Sequence, residues 1–340
     1  MTNHSGAIKI HLRKSVQEQD FDFRVHYTNK DYATSVIMGI NMSSDSFPVG
    51  FTEDWQFNSR FVSTDTLGNN ANLRFLEFED AIVVFGALGD INNINETVFN
   101  NFTNICNLLR KKAFSVLVKS WNFIPDINRR DSTGLENYQA FCKGRALAFE
   151  NAGITNFQMP AATGVGSYSN SICGYLVAVK EPNYKNLENS LQISAYKYPP
   201  KYGPQSPSFA RATIRAGEEK EAKNDCARIF ISGTASIRGH QTLWQENIEK
   251  QVHTTMENIA HLISYENIDR HNFDQEVLPA ELSDIDHFKV YFRRSEDKEK
   301  IERLLINQWH IDPNKLFFMH VDICRADLLV EIEGVVNGAG

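Results

Sequence analysis

Apolar positions along the 340-residue chain fall into two similar series. In the first, residues 81–88 (AIVVFGAL) form a run that predicts a buried strand. Ile94, Val98, Phe102, Ile105 and Leu109 then recur at helical spacing, and 115–121 (SVLVKSW) predicts another strand. A second helix fits 134–151 and a further strand 173–180 (CGYLVAVK), with NFQMPAATGVG between them. From 182 to 210 the chain is rich in Pro and Tyr and poor in strand signal, as a connector would be. The second series opens with ARIFIS at 227–232; Ile248, Val252, Ile259 and Leu262 mark one face of a long helix, and HFKVYF at 287–292 reads as a strand. A helix over 296–307 has Ile301, Leu304 and Leu305 as its apolar positions, and strands are predicted at 316–323 and 328–336. Both series run strand, helix, strand, helix and close on strand, with one closing strand located in the first and two in the second. The chain is therefore expected to be α+β, a duplicated mixed sheet with helices packed on one face. The expected division is an N-terminal unit at 1–181, a connector at 182–211 and a C-terminal unit at 212–340.

The two closing strands, YLVAVK and LLVEIEG, set Ala178 against Glu331 when one half is laid on the other. Period-two alternation puts Leu329, Glu331 and Glu333 on one face and Val330 and Ile332 on the other. Two readings follow: a surface strand with a solvated glutamate pair, or a central strand whose Glu331 faces a covered space.

Composition narrows the function classes. Lys plus Arg is 35 against 42 for Asp plus Glu, a net charge of −7, which opposes a polyanionic partner; no nucleic acid is expected. The basic pairs Lys111-Lys112, Arg129-Arg130 and Arg293-Arg294 are scattered and read as solvated faces. No apolar run reaches membrane-helix length and the polar start has no signal core, so a cytoplasmic protein without a membrane partner is expected. The five cysteines, Cys106, Cys142, Cys173, Cys226 and Cys324, are widely spaced with no CxxC and read as thiols. Gly164-Val-Gly166 lacks the third glycine of a dinucleotide fingerprint, and Walker lysine, HExxH and GxSxG are all missing. Neither a cofactor nor a metal is expected.

Several segments resemble known families. Ser232-Gly233, Gln251 with Asn258-Ile259, and the closing Val330–Glu333 stretch resemble the reactive-intermediate deaminase (RidA/YjgF) fold, two units of which the repeat would supply. In that superfamily the first glutamate of VEIE lies in the ligand cleft, matching Glu331. The arginine that such deaminases carry on the preceding strand has no counterpart in LFFMHVDI, which speaks against imine deamination. KSWNFIPDIN (119–128), GLENYQAFCKGRA (134–146), PAATGVG (160–166), SAYKYPPKYGPQSPSFARAT (194–213), SGTASIRGH (232–240) and DICRADLLVEIEG (322–334) together are similar to the chorismatase family, in that family's order. The resemblance implies an enzyme that cleaves the enol ether of chorismate and releases pyruvate. The product would be 3-hydroxybenzoate or, alternatively, a dihydroxycyclohexadienoate or 4-hydroxybenzoate. A RidA-like ligand-binding scaffold without catalysis is the reading from another class.

Chorismate carries two carboxylates, and the planar guanidinium fork suits them best. Arg145 and Arg211 are the candidates, set against a helix-surface charge for the first and a salt bridge between units for the second. Tyr198 and Tyr202, stiffened by Pro199, Pro200 and Pro204, either bind the substrate or pack as a lid. Gly233 and Ala235 allow a ring to approach the backbone, or simply serve a tight turn. Glu331, if buried, stays protonated and delivers the proton that breaks the enol ether. Cys324 matches the cysteine of some 3-hydroxybenzoate-forming members and would shape the ring pocket, or fill a strand end; Ala235, where that branch is associated with glycine, points the other way. Further assembly into an oligomer is open, since single-unit relatives are trimers.

Overall fold

The computed structural model describes residues 8–14, 21–44, 47–57, 59–67, 73–155, 158–180, 183–216, 227–273 and 277–337. Cys226 and residues 156 and 157 of the NFQMP stretch lie outside them. Three sheets pack around one centre. The first is formed by β1 (Ile8–Arg13), β2 (Phe23–Thr28), β3 (Tyr32–Ala33), β4 (Ile37–Asn41) and β5 (Phe51–Phe57), in the order β1-β5-β2-β4-β3. The second unit of structure contains β6 (Phe61–Thr66), β7 (Leu73–Phe78), β8 (Ala81–Gly89), α1 (Ile94–Lys111), β9 (Val116–Pro125), α2 (Asn137–Asn151), β10 (Ala161–Ser167) and β11 (Ile172–Val179), with sheet order β10-β9-β11-β8-β7-β6. The third contains β12 (Tyr184–Leu187), β13 (Ala212–Arg215), β14 (Ala227–Ala235), the ribbon β15 (Ile237–Arg238) and β16 (Gln241–Thr242), α3 (Ile248–Ile263), α4 (Tyr265–Asp269), β17 (Ile285–Phe292), α5 (Lys298–Asn307), β18 (Leu316–His320) and β19 (Val330–Asn337).

The third sheet runs β18-β17-β19-β14-β13-β12, strand for strand the order of the second. In each, the terminal pair (β10 with β9, β18 with β17) is parallel and the other pairings are antiparallel. This is the duplicated α+β architecture expected from the two apolar series. Leu176 and Ala178 lie on the helix side of their sheet, in the core beneath α1 and α2, and Val330 and Ile332 take the same side beneath α3 and α5. Gly144 brings α2 against the start of α1: a Cβ there would run into the Asn95 carbonyl.

The register corrects one expectation. Ala178 faces the helices, whereas Glu331 and Glu333 face the space between sheets, so Ala178 is not the counterpart of Glu331. Lys119 of β9 pairs with Val177 and Lys289 of β17 pairs with Glu333. With these lysines matched, Tyr175 takes the place of Glu331 and Val177 that of Glu333, three residues from the naive overlay. A slip by an odd number of residues inverts every side chain of a strand. Leu329, expected to share a face with both glutamates, precedes β19 and packs on the helix side.

The centre itself is polar. Glu333 is 3% exposed and accepts from Lys119 Nζ (2.7 Å), Trp121 Nε1 (2.9 Å), Tyr291 Oη (2.8 Å) and Thr163 Oγ1, with Lys289 Nζ at 3.3 Å. Lys289 also pairs with Glu53 of β5, whose carboxylate accepts from Trp55, Tyr175 and Tyr27. The solvated glutamate pair is thereby ruled out. Each sheet contributes a charge that the others satisfy, and removing one member of such a buried pair costs about 3–5 kcal/mol. Among the described residues no helix is long and apolar enough to cross a membrane.

Candidate active site

A cavity of about 260 Å³ opens at the seam between the two repeated units. From the first unit come α2, with Tyr138 and Arg145, and β10, with Thr163 and Gly164; from the second come the ends of β14 and β19 and the loop between β18 and β19. Short bonds close the seam beneath it: Ala162 N to Ser232 Oγ (2.9 Å), Ala161 N to Thr213 Oγ1 (2.9 Å) and Gly233 N to Thr163 Oγ1 (3.1 Å). All eight residues singled out in the sequence, Glu331, Cys324, Arg145, Arg211, Tyr198, Tyr202, Gly233 and Ala235, line the cavity.

Glu331 forms the floor. It is 4% exposed, and burial together with the neighbouring negative charge of Glu333 pushes its carboxyl up to about 8. It is therefore neutral at physiological pH. Gly233 lies directly under it, and a Cβ at that position would collide with Glu331 Oε1. Close approach to the carboxyl is thus the reason for glycine here. The Cys324 thiol lies 3.8 Å from Glu331 Oε2, and burial with the adjacent Glu331 raises it far above a normal thiol. A thiol so placed is a weak donor and no nucleophile.

The walls carry positive charge. Arg145 is 2% exposed, so it is no helix-surface charge; its guanidinium packs over Phe141 at 4.9 Å and its Nε is buried without a partner. Arg211, 3% exposed, donates from Nη2 to Tyr198 Oη (2.7 Å) and Ile193 O (2.8 Å), and its Nε is likewise unpartnered. Among the described residues neither arginine has a carboxylate within ion-pair distance, which removes the inter-unit salt bridge as an account of Arg211. Tyr202 donates to or accepts from His240 Nδ1 at 3.2 Å, and its ring and that of Tyr198 flank a third guanidinium, Arg325, at 3.8 and 5.1 Å.

Arg325 was not singled out in the sequence, although it follows Cys324 directly. Its Nη1 donates to His240 O and Thr242 Oγ1, while Nη2 is buried without a partner. Arg293, read as half of a solvated basic pair, instead holds the loop that presents Cys324 and Arg325. It donates to Leu328 O (2.8 Å), Ile323 O, Arg325 O and Asn128 Oδ1 (3.0 Å each), and it pairs with Asp322. Gln251 of α3 holds the same loop through Asp327 O and Leu329 N, and Asn258 bonds Ala235 O and Ile237 O at the end of β14. Tyr138, Thr163 and Lys201 are further lining residues that carried no separate signal in the sequence. Among the described residues no group of three or more His, Cys, Asp and Glu is placed to hold a metal ion.

A neutral carboxyl enclosed with three guanidinium groups, none of which has a carboxylate partner among the described residues, defines the site of an enzyme for a small, multiply anionic substrate. The chain belongs to the chorismatase family. The sequence profile of the FkbO/Hyg5-like chorismatase N-terminal domain matches residues 55–178. A 3-hydroxybenzoate synthase from Streptomyces hygroscopicus is 39% identical over 235 residues, 69% of this chain and 67% of that protein. A chorismatase from Streptomyces rapamycinicus is 38% identical over 235 residues, covering 69% and 68% respectively. A chorismatase crystal structure superimposes with a TM-score of 0.85 at 30% identity, covering 97% of this chain and 98% of the other.

Proposed function

We propose that this chain cleaves chorismate into pyruvate and 3-hydroxybenzoate, and that the neutral carboxyl of Glu331 beneath three arginines, each with a buried nitrogen left without a partner, carries the reaction. The arginines hold the two carboxylates, with the Tyr198 and Tyr202 phenols beside them. Glu331 gives its proton to the methylene carbon of the enol ether, and the resulting oxocarbenium weakens the bond from the ether oxygen to the ring. The neighbouring ring hydroxyl displaces that oxygen, pyruvate leaves, and the hydroxyl proton returns to the Glu331 carboxylate. The arene oxide so formed opens to 3-hydroxybenzoate. The two products together contain the atoms of chorismate, with no change in overall oxidation state, so the reaction needs no redox cofactor and no added water. The chain acts in the cytoplasm on this reading.

Two features favour the hydroxybenzoate branch: the Cys324 thiol against Glu331, and a relative that bears the name 3-hydroxybenzoate synthase. Ala235, which lines the cavity, favours the second reading, capture by water to give the diene diol, because the family resemblance associates the hydroxybenzoate branch with glycine in this region. Incubation with chorismate, pyruvate assay and chromatography of the aromatic product test both. Absence of pyruvate overturns the function; diene diol as the main product overturns the branch. Cys324→Ala should move the product ratio toward the diol.

A further inference from the structure

Glu331 and Glu333 sit two apart on one face of β19, yet their carboxyls are held in opposite charge states. The two lysines and three neutral donors around Glu333 outweigh its burial and hold it far below the ordinary carboxylate range, a fixed negative charge at any working pH. Its partner Lys119 reaches it from β9 and is itself buried. Thr163 joins this pair to the cavity: its hydroxyl donates to Glu333 Oε2 and accepts from Gly233 N at 3.1 Å, and Gly233 is the surface on which the Glu331 carboxyl rests. Thus a continuous chain of contacts runs from the central charges to the floor of the site.

We propose that Lys119, Glu333 and Thr163 are the positioning residues of the proton donor: the fixed charge of Glu333, moderated by Lys119, sets the charge state of Glu331, and Thr163 fixes where its carboxyl sits. The inference rests on the reading of Glu331 as the acid. Strand geometry puts residues two apart on a face roughly 7 Å from one another. At an effective dielectric constant of about 20, a unit charge at that distance moves a neighbouring titration by about 1–2 pH units. The other charged or titratable groups around Glu331 are Tyr138 and Arg145 from α2, Arg211 ahead of β13, and Cys324 and Arg325 from the loop before β19. None of them belongs to the triad.

The test is the pH profile of kcat for pyruvate release from chorismate. The wild-type rate should fall as pH rises through about 8, where Glu331 loses its proton. Glu333→Gln removes the negative neighbour and should move this alkaline limb down by about 1–2 units; Lys119→Met removes the positive one and should move it up by about 1 unit. A purely structural role predicts lower activity in both variants with the limb unmoved. Limbs that coincide with wild type, or that move in the same direction, overturn the charge-setting role. Should either charge variant fail to fold, Thr163→Val changes no charge. It should lower kcat at least tenfold with KM unchanged and the limb in place, and Thr163→Ser should restore the rate; full kcat in Thr163→Val overturns the positioning role. Wild-type protein that releases no pyruvate would sink the function assignment instead, so the two failures are distinguishable.

Discussion

Replacing Glu331 with glutamine should move stability and activity in opposite directions. The carboxyl ionises near 4.5 in an unfolded chain and at about 8 in the folded one. A group with a raised folded-state value favours folding in its protonated form. Relative to an always-neutral side chain it has no effect below pH 4.5, and it makes the protein progressively less stable as pH rises toward 8. At about 1.4 kcal/mol per unit, the handicap is on the order of 3 kcal/mol at pH 7 and 5 kcal/mol at pH 8. Solvent screens little of it, because the side chain is enclosed. Glutamine keeps the size, never ionises, and should recover most of that energy. Urea denaturation of both proteins at pH 5 and pH 8, compared as a difference, isolates this group because Glu188 and the remaining ionisable residues are common to both. The same substitution removes the transferable proton, and kcat should drop by about 10²–10⁴. A variant no more stabilised at pH 8 than at pH 5 would show that Glu331 is not held neutral. Normal turnover would show that it is not the acid.

Three further outcomes follow from the site. Arg145→Ala or Arg211→Ala should lower kcat/KM by the equivalent of about 2–5 kcal/mol, with lysine restoring only part, as measured by steady-state pyruvate release; near-normal kcat/KM in a folded variant places that arginine outside the clamp. Gly233→Ala should abolish measurable turnover while leaving circular dichroism unchanged, since the added methyl displaces the Glu331 carboxyl rather than a core residue. Arg293→Ala strips the 322–328 loop of one of its two anchors and should raise KM by about tenfold or more, with a smaller fall in kcat, since Arg325 then loses its fixed place.

The repeat, its four longer helices and seven of its strands could be read from the chain, mostly as apolar runs or helical stripes; β6, β7, β12 and β13 were not, and β12, which pairs with β13, lies inside the stretch expected to be a strand-poor connector. β10 escaped because AATGVGS has almost no apolar bulk; its small residues serve to bring the two units together and to line the cavity. The sheet over residues 8–57 was equally silent, for its strand β5 (FTEDWQF) buries Thr52, Glu53 and Asp54 where alternation would demand apolar residues. The candidate site fared better than the charges behind it. Arg145, Arg211 and Glu331 were found through resemblance to a family, whereas Lys119, Lys289 and Glu333 look like ordinary strand charges until the three sheets are assembled. Glu333 in particular reads as a solvated twin of Glu331, and is instead held by five donors. Arg293 was overlooked because it stands beside Arg294 and a basic pair suggests solvent, while it is occupied by the backbone of the 322–328 loop; Arg325 stands alone between Cys324 and Ala326 and carries no pattern of its own, yet donates to His240 O and Thr242 Oγ1.

Because both faces of the seam belong to one polypeptide, each can change alone. In a symmetric assembly of identical units any substitution appears at every interface and on both roles at once, so an arginine that suits one wall is imposed on all equivalent places. Here α2 carries Arg145 into the cavity while α5, at the corresponding place in the repeat, keeps the solvated sequence KEKIERLLIN. The positions facing the remaining seam are filled with contacts such as Phe51 against Phe317 and Ser44 with His320. A substitution in α2 can therefore reshape the wall that carries Arg145 while Glu331 and Cys324, on the other unit, stay as they are.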